Sequence, residues 1–157
     1  MMEYNYARDK QLQIALQYIV ERLNPQIFGT IVFNRLIGLS KQRKYLSRFH
    51  HRVDKKILGP NFFKLPKEER TFYIAFPEHI DSNVHYHLMI LPGQNKHFLY
   101  QMYAPKIWRK VCPGGSIDLV RLESGANLKI TSRYSTKEAW KDLNYENFII
   151  SSEFLKG

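Results

Sequence analysis

Leu12, Ala15, Leu16, Ile19, Val20 and Leu23 recur at helical spacing, and Asn24-Pro25 stops the run, which predicts an amphipathic helix over about 9–24. The stretch from Phe28 to Phe33 is short, β-branched and aromatic, so it reads as the first strand, with Asn34 and Arg35 at its exit. Ser40 is placed to cap a second helix, in which Tyr45, Phe49, Val53 and Ile57 form the apolar stripe and Gly59-Pro60 the stop. Lys41, Lys44, Arg48, Arg52 and Lys55 occupy another face of that helix. Two strand-like runs follow, Arg70 to Phe76 and Val84 to Leu91, separated by a polar turn and therefore expected to pair antiparallel. A helix containing Phe98, Met102 and Ile107-Trp108 comes next, with Pro105 interrupting or restarting it. Ser116 to Leu122 alternates as a strand, a helical run opens at Ser124 or Gly125 and extends through Tyr134 and Lys137, and Phe148 to Ile150 adds a late strand. This order predicts an α+β fold with a central antiparallel sheet flanked by helices.

Composition narrows the class. At 157 residues the chain fits a single domain over 1–157, long enough to bury an apolar core. It has no internal repeat, low-complexity tract or Walker-type phosphate loop, so no motor domain is encoded. No apolar stretch approaches the roughly 18 residues of a membrane span. The charged N-terminus and the single Cys112 lead us to expect a soluble, intracellular protein, in the cytoplasm of the host cell and without a membrane partner. The 24 Lys and Arg residues against 14 Asp and Glu give a net charge of +10, which calls for a polyanionic partner, nucleic acid ahead of an anionic membrane. The basic stripe on the second helix is then either solvated surface or a row of phosphate contacts.

Candidate chemistry centres on His85 and His87. Side chains alternate along an extended strand, so these two imidazoles project from one face and can share a metal ion, although a chain with 6 histidines also produces such a pair by chance. Glu78, at the end of the preceding strand, is the expected third ligand, with His79 and Asp81 as rivals in the same turn. The carboxylate is preferred because it offsets the charge of the ion, and because alternation in an extended strand turns His79 to the opposite face. Two imidazoles and a carboxylate suit Mn²⁺ or Mg²⁺ with open water positions; a closed zinc site needs a fourth ligand, and Cys112 is the one thiol to supply it. A metal on a phosphate needs a nucleophile, and a tyrosine phenolate is both a competent nucleophile and a leaving group. Two Tyr-x-x-Lys matches exist, Tyr103 with Lys106 and Tyr134 with Lys137; Pro105 inside the first opposes a helical turn there and favours the second.

His85-Tyr86-His87 in an apolar strand, followed by Tyr134 and Lys137, resembles the HUH endonuclease signature of rolling-circle replication initiators, whose motifs are a His-hydrophobic-His pair and a Tyr-x-x-Lys on a helix. The Glu78-His79 pair at a strand exit is similar to initiators that use Glu as the third ligand, and Thr30 to Phe33 resembles their opening motif more loosely. The match runs from about Phe28 to Lys141 and leaves the N-terminal helix and the tail outside it. The resemblance implies a ferredoxin-like HUH domain, Mg²⁺ or Mn²⁺, and a tyrosine that becomes linked to a DNA 5′ phosphate while a 3′ hydroxyl is freed. On it rest the expectations that Tyr134 is the nucleophile, that Lys137 assists it, and that His85, His87 and Glu78 hold the metal. Arg35, Lys41, Lys44, Arg48, Arg52, Lys129 and Arg133 are the candidate DNA contacts, with Lys141 nearby. The partner expected is single-stranded DNA at an origin or hairpin, worked on together with a host helicase and polymerase. Two alternatives stand beside this one: a basic, non-catalytic single-strand binding module, and a related transposase or relaxase.

Overall fold

The computed structural model describes residues 6–79, 82–93, 95–122 and 148–154. The elements in chain order are α1 (Tyr6–Leu23), β1 (Ile27–Val32), α2 (Leu39–Leu58), β2 (Phe72–Glu78), β3 (His85–Leu91), α3 (His97–Val111), β4 (Ser116–Arg121) and β5 (Ile149–Ile150), with short 3-10 turns at Phe62–Lys64, Lys67–Glu69 and Ser151–Phe154. The strands form one sheet in the order β4-β1-β3-β2-β5, every neighbouring pair antiparallel. The fold is α+β, and β3, the strand of His85 and His87, lies inside the sheet between β1 and β2.

Alternation along the strands gives the sheet two unlike faces. Ile27 and Ile31 of β1, Tyr73 and Ala75 of β2, and Tyr86, Leu88 and Ile90 of β3 join Leu46, Phe49, Val53 and Ile57 of α2 and Tyr100, Ala104, Trp108 and Val111 of α3 in the main core. Trp108 anchors it, meeting the edges of Phe33 and Phe49 with ring centroids 5.3 and 5.6 Å away. Gly29 sits where β1 is most crowded: a Cβ there would meet Leu119 Cδ2 at 3.1 Å and Ile90 Cδ1 at 3.2 Å. The opposite face carries a smaller apolar cluster of Ile74, Phe76 and Met89, with Leu23, Phe28, Phe72, Phe148 and Ile150 against it.

A buried ionic lock ties α2 to the start of β2. Asp54, fully buried in α2, accepts from Arg70 Nε and from Arg70 Nη2, each at 2.9 Å, from the Thr71 amide at 3.2 Å, and from the Thr71 hydroxyl. These bonds hold Arg70 and Thr71 outside the ladder, so β2 starts at Phe72 and reaches Glu78, two residues beyond the expected end.

Three local expectations are corrected. The N-cap of α2 is Gly38, not Ser40; Ser40 lies in the first turn, and no side chain caps the helix. The helix α3 runs unbroken through Pro105. Its core stripe is Tyr100, Ala104, Trp108 and Val111, while Phe98 and Met102 are 64% and 41% exposed. Pro105 falls off that stripe and forfeits one backbone hydrogen bond, a loss that the packing of four large or close-fitting residues outweighs. Among the described residues no helix is long and apolar enough to cross a membrane.

Candidate metal centre

The register of β2 with β3 sets Glu78 directly opposite His85 and Phe76 opposite His87, so Glu78, His85 and His87 project from one face, the face away from α2 and α3. His87 is buried and held from three sides. Its Nε2 donates to Glu78 Oε2 at 2.6 Å, Thr30 Oγ1 lies 3.4 Å from its Nδ1, and Phe28 stacks on the ring with centroids 5.6 Å apart and planes 12° from parallel. The two ring nitrogens are thus both engaged, one by the carboxylate and one by the Thr30 hydroxyl, which fixes the orientation of the ring. Glu78 is buried as well. A carboxylate taken out of water needs compensating charge, and among the described residues His87 and His79 stand against it.

His79 belongs to the same cluster, contrary to the alternation argument. Its φ of +56° places it in the left-handed region, which breaks the period of two immediately after Glu78. The ring turns back so that Nε2 lies 3.6 Å from Glu78 Oε1 and the centroid 5.9 Å from that of His85. Two histidines, His79 and His87, therefore approach the Glu78 carboxylate while His85 stands opposite it in register, and the reason given for setting His79 aside does not hold. Asp81 lies outside the described residues.

Among the described residues no group of three His, Cys, Asp or Glu side chains is spaced to hold an ion as it stands. The donor set, imidazoles with one carboxylate, is chemically of the kind that a divalent ion takes.

The other candidates divide by position. Tyr134, Lys137, Lys129, Arg133 and Lys141 lie outside the described residues. Tyr103 and Lys106 do stand one turn apart on a continuous helix, so Pro105 is no argument against them. Their position is: α3 packs on the opposite face of the sheet from His85 and His87, and Lys56 Nζ lies 4.8 Å from the Tyr103 ring centroid. Tyr73, Tyr86 and Tyr100 are buried in the helix-side core, where loss of solvent raises all three phenols, that of Tyr86 to about 12, so none ionises readily. Lys41, Lys44, Arg48 and Arg52 are exposed on the outer side of α2 and are not brought to the histidines. Arg35 is also on the helix side, with Nη2 3.3 Å from Tyr45 Oη and 3.6 Å from Cys112 Sγ.

Sequence reasoning missed Thr30 and Phe28 as supports of His87, although their positions in a strand beside the histidine strand were the available signal. Comparison of the chain with protein-family models, with curated proteins and with solved structures finds no match.

Proposed function

We propose that the chain is a metal-dependent endonuclease that nicks and rejoins single-stranded DNA through Tyr134, of the HUH type found in rolling-circle replication initiators. The observation that carries the reading is the placement of His85, His87 and the buried Glu78 on the sheet face not occupied by α2 and α3, with His87 and His79 against the carboxylate. The strand order β4-β1-β3-β2 and the run β1, α2, β2, β3, α3, β4 support a ferredoxin-like domain, with α1 and β5 added.

His85, His87 and Glu78 would hold Mn²⁺ or Mg²⁺, with His79 in reach as a further donor. When bound, the ion polarises the scissile phosphate as a Lewis acid. Glu78 offsets part of its charge, and Thr30 and Phe28 hold the His87 ring in one orientation, the role that outer-shell partners have at metal sites. Tyr134 Oη attacks the phosphorus, forming a phosphotyrosine at the 5′ end, and the 3′ oxygen leaves and is protonated to a hydroxyl. Lys137 offsets phosphate charge as the bond forms. Transfer of the phosphoryl group from Tyr134 back to a 3′ hydroxyl reseals the strand.

The test is incubation with labelled single-stranded circular DNA and a randomised oligonucleotide pool in Mn²⁺, resolved on a denaturing gel. A covalent adduct with wild type and none with Tyr134→Phe is expected. Adduct at wild-type level in Tyr134→Phe would move the nucleophile elsewhere. Tight binding with no adduct would leave the non-catalytic binding module.

A further inference from the structure

The two helices on the side of the sheet away from the histidine cluster are strongly basic. Between them α2 and α3 carry ten Lys and Arg residues and one carboxylate, Asp54, which is buried and spent on Arg70. At about 100° per residue, Lys41, Lys44, Arg48, Arg52 and Lys55 fall within about 80° of arc, opposite the buried stripe of α2, and form a row about 21 Å long. Beside this row α2 and α3 enclose a groove of about 280 Å³ lined by Lys56, Tyr103, Lys106, Ile107 and Lys110. The three lysines are exposed, and among the described residues no carboxylate lines the groove.

The groove itself offers unstacked bases no open ring: Tyr45 and Phe49 of α2 are half-buried and buried, half-buried Tyr103 already has Lys56 near its face, and the exposed Phe98 of α3 stands about two helical turns before Lys106. Single-strand binders combine charge with exposed stacking platforms, whereas a duplex presents only phosphates along its outside. We infer that the outer surface of α2 and α3, centred on the groove of Lys56, Lys106 and Lys110, binds the phosphate backbone of duplex DNA. This contact is separate from the Glu78 cluster, because the sheet and a helix about 10 Å across lie between them. The inference rests on the proposed function only in taking DNA as the polyanion. It assigns the enzyme two DNA contacts, a single strand at the histidines and a flanking duplex on the helices, with register set by position and not by base sequence.

The experiment measures binding of a labelled duplex of arbitrary sequence by fluorescence anisotropy over a range of salt. Lys56→Gln, Lys106→Gln and Lys110→Gln combined should weaken binding at least about 10-fold and make the log-log salt slope shallower by about 2 to 3. The combination Lys64→Gln, Lys67→Gln and Lys96→Gln removes the same charge elsewhere and should change affinity less than about 3-fold. Equal losses in the two lysine triples, an unchanged slope in the groove triple, or binding of phosphatidylserine vesicles in place of duplex overturns the inference. Failure of the adduct assay with the groove effect intact overturns the nuclease reading and leaves the duplex contact standing.

Discussion

Two buried carboxylates, Asp54 and Glu78, lie near opposite ends of β2 and are satisfied by different chemistry. Asp54 takes two nitrogens of Arg70 together with the amide and hydroxyl of Thr71. Arginine does not give up its proton in a protein, so this pairing is permanent and its consequence is mechanical: α2 is fixed to β2. Glu78 is met by His87 at 2.6 Å and His79 at 3.6 Å, with His85 opposite in register. Imidazole is a metal ligand through a ring nitrogen and guanidinium is not, so the second carboxylate stands beside donors that an ion could use, where the Arg70 that holds the first offers none. The kind of base beside a buried acid is what distinguishes the structural lock from the proposed ligand set.

The sharpest way to break the comparison is to remove each acid. Glu78→Ala should cut Mn²⁺-dependent adduct formation by more than about 100-fold, an effect at least as large as losing an outer-shell partner of a metal site, with a small change in melting temperature. Asp54→Ala should do the reverse, leaving the cluster intact but costing about 3–5 kcal/mol of stability, because Arg70 would remain buried and unpaired; chemical denaturation checks it.

His50 refines the comparison within the lock. It is buried one turn before Asp54 with Nε2 3.5 Å from Oδ2, and among the described residues Nε2 has no hydrogen-bond partner. Loss of solvent lowers its pKa to about 4; Arg70 and His51 add to the effect, and Asp54 opposes it. The unfolded chain therefore binds more protons than the folded one between about pH 6.5 and 4, and stability falls as the pH drops through that window. The loss should be about 3 kcal/mol once complete, and His50→Leu should flatten that part of the stability profile. A profile with the same fall in His50→Leu would place the titrating group elsewhere. The smallest effect belongs to Ser40→Ala, expected to stay within about 0.5 kcal/mol because Ser40 caps nothing; a loss near 1 kcal/mol would restore it as the cap.

Much of the fold was legible because it follows from periodicity. Alternation located β3 and put His85 and His87 on one face, and the stripe of Phe49, Val53 and Ile57 located the buried side of α2. The errors arose where a local rule met a tertiary one. Pro105 reads as a break, but the packing of Tyr100, Ala104 and Trp108 carries α3 through it. His79 reads as facing away, but a single left-handed φ returns it to Glu78. The Asp54 lock went unread although it left a trace: one acidic residue in a helix with seven Lys and Arg, four positions after His50 and on the apolar side. Its partner Arg70 is distant in sequence, and periodicity carries no information about such a contact.

The central claim is that the Glu78 cluster holds a divalent ion, and isothermal titration of Mn²⁺ into the wild type, Glu78→Ala, His79→Ala and the double variant His85→Ala, His87→Ala tests it most directly. The account predicts one site in the wild type, no measurable binding in the double variant, binding weakened at least about 10-fold in Glu78→Ala, and a smaller loss in His79→Ala. Equal Mn²⁺ affinity in the wild type and the double variant, or no binding to the wild type, would contradict it.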